Sequence, residues 1–223
     1  MAKPAHRCHG YVLTGGRSSR MNQDKALLPL GGRPLALGIA ERVEWVCGNV
    51  FLVGSRAKYS GLGFPVIEDI FPDQGPLGGI HAALTHSPMP FSLIVGCDMP
   101  YLSREFLESL VEIARTAGDD AVVPESAAFG LEPLCAVYTR ACLPPIEEAL
   151  RNGQRKISRF LEGLRLRRVS REECQPYDRD GKLFRNLNTL EEYRDAIATL
   201  TSDLQEPEAR IQKPEGGQNR ILF

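Results

Sequence analysis

The chain has 223 residues, 43% of them hydrophobic, with acidic and basic residues nearly cancelling to a formal net charge of −1. That balance excludes a large electropositive surface of the kind built for nucleic acid. Apolar runs of only a few residues fall far short of the roughly 20 needed to cross a bilayer, and no signal-peptide pattern follows the polar start, so the sequence predicts a cytoplasmic protein without a membrane partner. Six cysteines, Cys8, Cys47, Cys97, Cys135, Cys142 and Cys174, show neither C-x-x-C nor zinc-ligand spacing with histidine and read as reduced thiols, not a metal cluster.

The length suits one domain, expected over residues 1–204, with no internal repeat. Along the chain, Tyr11 to Leu13 is the first apolar run of strand type, and a glycine-rich, basic segment follows it, Thr14 to Lys25. Paired glycines Gly15 and Gly16 let successive N–H groups converge on phosphate oxygens, while Arg20 offers a planar fork and Lys25 a compact ammonium. The spacing matches neither the Walker loop nor the Rossmann dinucleotide fingerprint. A second strand-type run is Val50 to Val53. Residues 67 to 80 then carry acidic groups, Gly75, Gly78 and Gly79, and lead into a helix expected near Ile80, with His81 as a packing or capping residue.

Ser92 to Val95 is the next strand, followed by Gly96-Cys97-Asp98-Met99-Pro100, so Asp98 should emerge at the same sheet edge as the glycine loop, either as a ligand for a hard cation or as a turn aspartate. Ser103 should cap a helix whose stripe is Phe106, Leu107, Leu110, Val111 and Ala114. Ala121 to Val123 and Leu134 to Tyr138 are further strands. Near the end, Thr189 and Glu192 have the capping-box spacing, ahead of a stripe of Leu190, Tyr193, Ile197 and Leu200. Residues 205–223, rich in Glu, Pro, Gly and Gln, are expected to be flexible or loosely docked. Continuous apolar strands alternating with helices predict a mainly parallel central sheet flanked by helices, with functional loops after Leu13, Val53 and Val95.

The segment Leu13 to Lys25 resembles the L-x-G-G-x-S-x-R-M-G-x-D-K signature of the molybdenum cofactor guanylyltransferases, a branch of the nucleotidyltransferase family with a Rossmann-like fold. Asn22 stands where that family usually has glycine. Gly96 to Pro100 resembles the family's C-D-x-P motif, which carries its magnesium aspartate. Glu68-Asp69 and Gly75-Pro76-Leu77-Gly78-Gly79 resemble its E-D…G-P-L-x-G segment, and Asn186-Leu187-Asn188-Thr189 its N-x-N-T motif. Gly153 to Lys156 resembles a stretch with a basic residue facing the second substrate.

The resemblance implies transfer of GMP from GTP to Mo-molybdopterin with Mg2+ as cofactor. Arg20, Lys25 and Asp98 would be catalytic, with Asp98 on the metal. Leu13, Thr14, Gly15, Gly16, Lys25, Asp69, Gly75, Gly79 and Asp98 would contact the nucleotide, and Arg155, Asn186 and Asn188 the acceptor. An acceptor phosphate already ionised near neutral pH needs no general base. Molybdoenzyme-maturation proteins would be further partners. Leu13-Thr14-Gly15-Gly16, where cytidylyl and sugar-phosphate relatives typically read L-A-A-G, leans towards guanine, whereas Leu52 to Ser55 lacks asparagines often found in guanylyltransferases. Cytidylyl transfer to molybdopterin or a sugar phosphate stays open, as does a non-catalytic nucleotide-binding module. At Arg155 a solvated helix-start charge is the equal reading.

Overall fold

The computed structural model describes residues 8–15, 24–128, 130–178 and 180–203, with side chains as far as Ala198. Gly16, Arg20, Asn22 and the segment 205–223 lie outside the described residues. Ten strands are present among those described: β1 (Cys8–Leu13), β2 (Pro29–Leu30), β3 (Arg33–Pro34), β4 (Val50–Val53), β5 (Val66–Ile67), β6 (Phe91–Gly96), β7 (Ala121–Ser126), β8 (Gly130–Leu131), β9 (Cys135–Thr139) and β10 (Leu166–Val169). The α-helices are α1 (Leu35–Cys47), α2 (Arg56–Tyr59), α3 (Pro76–His86), α4 (Arg104–Ala117), α5 (Leu143–Arg151), α6 (Ile157–Leu161), α7 (Arg171–Cys174) and α8 (Leu190–Asp203).

The main sheet runs β10-β7-β9-β6-β1-β4-β5, with β8 paired to β7 off that path and β2-β3 a separate small hairpin. Every neighbouring pair along the path is parallel except the two that β9 makes, with β6 and with β7. The sheet is therefore mainly parallel, as the continuous apolar runs predict. Alternate residues of each strand feed two cores: Val12, Leu93 and Val95 face α1 and α4, while Tyr11, Leu13 and Ile94 face α3 and α5. Burial on both faces is what removes the polar alternation from these strands.

All five stripe residues of α4 are buried, and the Ser103 hydroxyl accepts from the Phe106 N–H. The capping box at α8 is also formed: Glu192 Oε2 accepts from the Thr189 N–H at 2.9 Å, and Thr189 Oγ1 from the Glu192 N–H at 3.1 Å. The stripe expected on α8 is only partly its buried face: Tyr193 packs against the buried contact, and the side chain of Leu200 lies outside the described ones. Leu190 is 53% exposed and Ile197 36%, while Ala196, fully buried, packs with Leu35 and Leu187. A small residue lets the helix approach this contact closely, with Tyr193 packing beside it. Helix α3 begins four residues before Ile80, at Pro76, because Gly75 takes the turn at φ 65° and Pro76 fits the first helical position.

Helix α1 lies so close to β1 that a Cβ on Gly10 would fall 2.1 Å from Val43 Cγ1 and 3.3 Å from the Asn49 carbonyl oxygen. Val43 is itself fully buried and has no room to turn away. Gly10→Ala is expected to destabilise the fold by about 1–3 kcal/mol, read as a lower midpoint in urea unfolding with an unchanged slope.

Candidate active site

Strand β1 lies between β4 and β6 with Leu13 in register with both Val53 and Gly96, so the loops after these three parallel strands leave from one sheet edge. The edge is stitched by the backbone. The Thr14 N–H and hydroxyl both donate to the Val53 carbonyl, at 3.0 and 2.9 Å, and the Cys97 N–H donates to the Leu13 carbonyl at 3.1 Å. Leu13 and Thr14 thus engage their polar groups in shaping the loop, and Gly15 is the first residue exposed to solvent. Gly54 allows this close approach, because a Cβ there would lie 2.6 Å from Thr14 Oγ1 and 2.9 Å from the Tyr59 ring.

The far end of the glycine-rich segment is anchored by Asp24. Its carboxylate accepts from the Ala26 N–H at 3.2 Å, capping a short 3-10 turn at Lys25–Leu27, and lies 2.8 Å from the Tyr59 hydroxyl and 3.3 Å from Lys58 Nζ. Tyr59 Oη is also 3.0 Å from the Thr14 carbonyl oxygen, so one buried phenol spans both ends of the loop. Burial, and then its bond to Asp24, push the Tyr59 pKa well up, so the phenol keeps its proton.

This anchoring delivers Lys25. Its Nζ is 2.7 Å from Asn188 Oδ1 and 3.4 Å from Asp98 Oδ2, with the Lys25 and Asp98 side chains 18% and 24% exposed. The Asn188 segment is docked on the same edge, because the Leu187 N–H donates to the Asp98 carbonyl at 2.9 Å. The capping carboxylate of Glu192 also takes the Asn188 N–H at 2.7 Å. Three separated stretches of sequence therefore meet as an ammonium, a carboxylate and an amide. Among the described residues Lys25 is the only side-chain partner of Asp98, and at 3.4 Å it leaves most of that carboxylate's lone pairs open.

A family model described as the MobA-like NTP transferase domain matches residues 10–169 of this chain. The chain belongs to the MobA-like NTP transferase family. A probable molybdenum cofactor guanylyltransferase of Pelotomaculum thermopropionicum is 36% identical over 181 residues, covering 81% of this chain and 87% of that protein. The molybdenum cofactor guanylyltransferase of Desulfosudis oleivorans is 34% identical over 193 residues, covering 86% and 95%. Among solved structures, molybdopterin-guanine dinucleotide biosynthesis protein A from Archaeoglobus fulgidus superposes with a TM-score of 0.77 at 28% identity, covering 87% of this chain and 99% of that one. As a member of this family the chain is a nucleotidyltransferase.

The other residues singled out from sequence have distinct surroundings. Asp69, on the loop after β5, is half-buried, and its Oδ1 has no hydrogen-bond partner among the described residues. Gly75 is exposed at the start of α3. Gly79 is buried, with a virtual Cβ 3.1 Å from Leu13 Cδ2, so its position is explained by packing of α3 on β1. Arg155 is exposed and its Nε donates to Gln74 Oε1 at 3.0 Å, which puts it beside the Gly75 loop and not in the Lys25–Asp98–Asn188 cluster. Asn186 is half-buried near that cluster's docking segment. His81 is buried, with Nε2 3.6 Å from Glu147 Oε1 and its ring edge-on to Phe71, which fits the packing role.

Tyr59 and Gly54 support the loop without belonging to any of the motifs, and Glu132 is a further polar group of this edge. Asp24 alone carries a sequence signal, as the fixed aspartate beside Lys25.

Desolvation raises the Asp69 pKa above the ordinary aspartate value. A carboxyl whose pKa is higher folded than unfolded lends its stabilisation fully below the ordinary value, and loses it as pH rises through the raised one. At neutral pH Asp69 therefore works against the fold. Asp69→Asn is expected to raise the thermal midpoint at pH 7 with a smaller gain at pH 4, and to weaken nucleotide binding by about tenfold in a calorimetric titration.

Proposed function

We propose that this chain transfers GMP from GTP to Mo-molybdopterin, releasing pyrophosphate and forming the guanine dinucleotide form of the cofactor. The observation that carries the reading is the meeting of Lys25, Asp98 and Asn188 beside the glycine loop, on a family fold whose relatives in Pelotomaculum and Desulfosudis bear the guanylyltransferase name. The same reading places the enzyme in the cytoplasm, handing its product to molybdoenzyme-maturation proteins. It is consistent that no helix among the described residues is long and apolar enough to cross a membrane.

In this reading the triphosphate lies along the loop from Gly15, with its backbone N–H groups and Arg20 on phosphate oxygens. Asp69 accepts a hydrogen bond from a nucleoside N–H or O–H that replaces water at its unpartnered oxygen. Gly75 lets the start of α3 come close to the nucleotide. Lys25, already oriented by Asn188, stabilises charge as it builds on the departing pyrophosphate. The acceptor phosphate approaches from the Asn188 side, where Asn186 and Asn188 offer amide groups, and attacks the α-phosphorus in line. Positioning replaces proton abstraction, since this nucleophile arrives ionised.

The open carboxylate of Asp98 suits a hard divalent cation; Mg2+ held there would supply Lewis-acid stabilisation during the transfer. No group of three or more His, Cys, Asp or Glu side chains with metal-binding geometry occurs among the described residues.

The test is pyrophosphate release with Mg2+, Mo-molybdopterin and each nucleoside triphosphate in turn. GTP-selective release is expected. Release with CTP alone moves the assignment to cytidylyl transfer, and none with any triphosphate and acceptor overturns catalysis of this reaction. In the same assay Lys25→Ala is expected to lower kcat by about 10²–10³-fold while the thermal midpoint stays near wild type. Normal turnover in that variant would remove Lys25 from the phosphate clamp.

A further inference from the structure

Among the described residues, Glu132 is the one buried carboxylate at this sheet edge, and the proposed reaction gives it no task. It lies on the turn between β8 and β9 and is 5% exposed. Because β9 runs antiparallel to β6, with Cys135 opposite Val95, the start of β9 arrives at the edge from which Asp98 departs. The contact is close. The Gly96 N–H donates to the Leu134 carbonyl at 2.7 Å, and a Cβ built on Gly96 would meet Asp98 Oδ1 at 3.1 Å and Leu134 Cβ at 3.6 Å. The turn is itself fixed, with the Glu132 N–H on the Pro124 carbonyl at 2.8 Å and the Cys135 N–H on the Glu132 carbonyl at 3.0 Å.

Ser126 hydrogen-bonds the Glu132 carboxyl, yet Oε1 has no partner among the described residues. Burial and the nearby charge of Asp98 both disfavour a second anion here. An acceptor held dry, next to another carboxylate and without a donor, is costly unless a cation or a donor completes the arrangement. Lys25 offsets only one of the two negative charges. A hydrated divalent ion at Asp98 supplies what is missing, because such an ion keeps several bound waters whose protons need acceptors.

We propose that Glu132 is a positioning residue of the divalent-cation site, accepting a hydrogen bond from water bound to a cation held by Asp98. The inference rests on the assignment of the metal to Asp98 made above. Glu132 gives that site a second carboxylate without a direct bond to the ion.

Mn2+ serves as the probe, its binding to the protein–GTP complex followed by electron paramagnetic resonance and, independently, by calorimetry. Glu132→Gln keeps the shape and the Ser126 contact but removes the charge, and is expected to weaken Mn2+ binding by about tenfold. GTP binding without metal should be unchanged. Ser126→Ala, which loosens the carboxylate without deleting it, should weaken Mn2+ binding less. Asp98→Asn separates the two ideas. If Asp98→Asn abolishes Mn2+ binding while Glu132→Gln and Ser126→Ala match wild type, the role of Glu132 is overturned and the metal assignment stands. If Mn2+ binding survives Asp98→Asn, both fall.

Discussion

The hydrogen bond from Lys25 to Asn188, 2.7 Å long and backed by Asp98 at 3.4 Å, ties together the three stretches of chain on which the active edge depends. A lysine on a flexible stem is a poor catalytic group unless its rotamers are restricted. Here the restriction comes from both ends. Asp24 and Tyr59 fix the backbone just before Lys25, and Asn188 fixes the ammonium. Asn188 is in turn located by Glu192 in the capping box of α8 and by the Leu187–Asp98 backbone bond. Capping a helix and orienting the Lys25 ammonium are thus parts of one hydrogen-bonded chain.

The sheet explains why the edge has two unlike halves. On one side β4 and β5 continue the parallel order from β1, and their loops carry Gly54 and Asp69. On the other, β9 reverses direction, so the turn that precedes it, and not the loop that follows it, reaches the edge. A parallel strand in that place would have sent Glu132 to the far end of the molecule. The reversal at β9 supplies the edge with a carboxylate that a strictly alternating β-α order would not bring there.

The legible parts of the fold were those with strong local causes. Strands buried on both faces announced themselves as unbroken apolar runs, and Ser103 and Thr189-Glu192 announced helix starts through cap chemistry. The direction of β9 was not legible, because a strand buried on both faces reads alike either way along the sheet. The buried face of α8 was only partly legible because helical spacing tells which residues share a side but not how narrow the surface beneath it is; Tyr193 packs on the contact, but Ala196 fills the place that Leu190 and Ile197 were expected to take. At the site, Lys25, Asp98 and Asn188 were recognisable through motifs. Tyr59 and Gly54 were not, since their importance lies in spanning and clearing a gap that exists only once the chain is folded.

The Lys25–Asn188 bond joins residues 163 positions apart, and Asn188 lies beyond residue 169, where the match to the family model ends. During synthesis the glycine loop, the sheet edge and Asp98 are all made well before the amide that completes them. Contacts of such long range carry the largest loop-closure cost and form late. The ammonium is consequently left without its orienting partner until almost the whole described chain has left the ribosome. A chain clipped before Asn188 would retain the strands of the edge while losing the amide that orients Lys25.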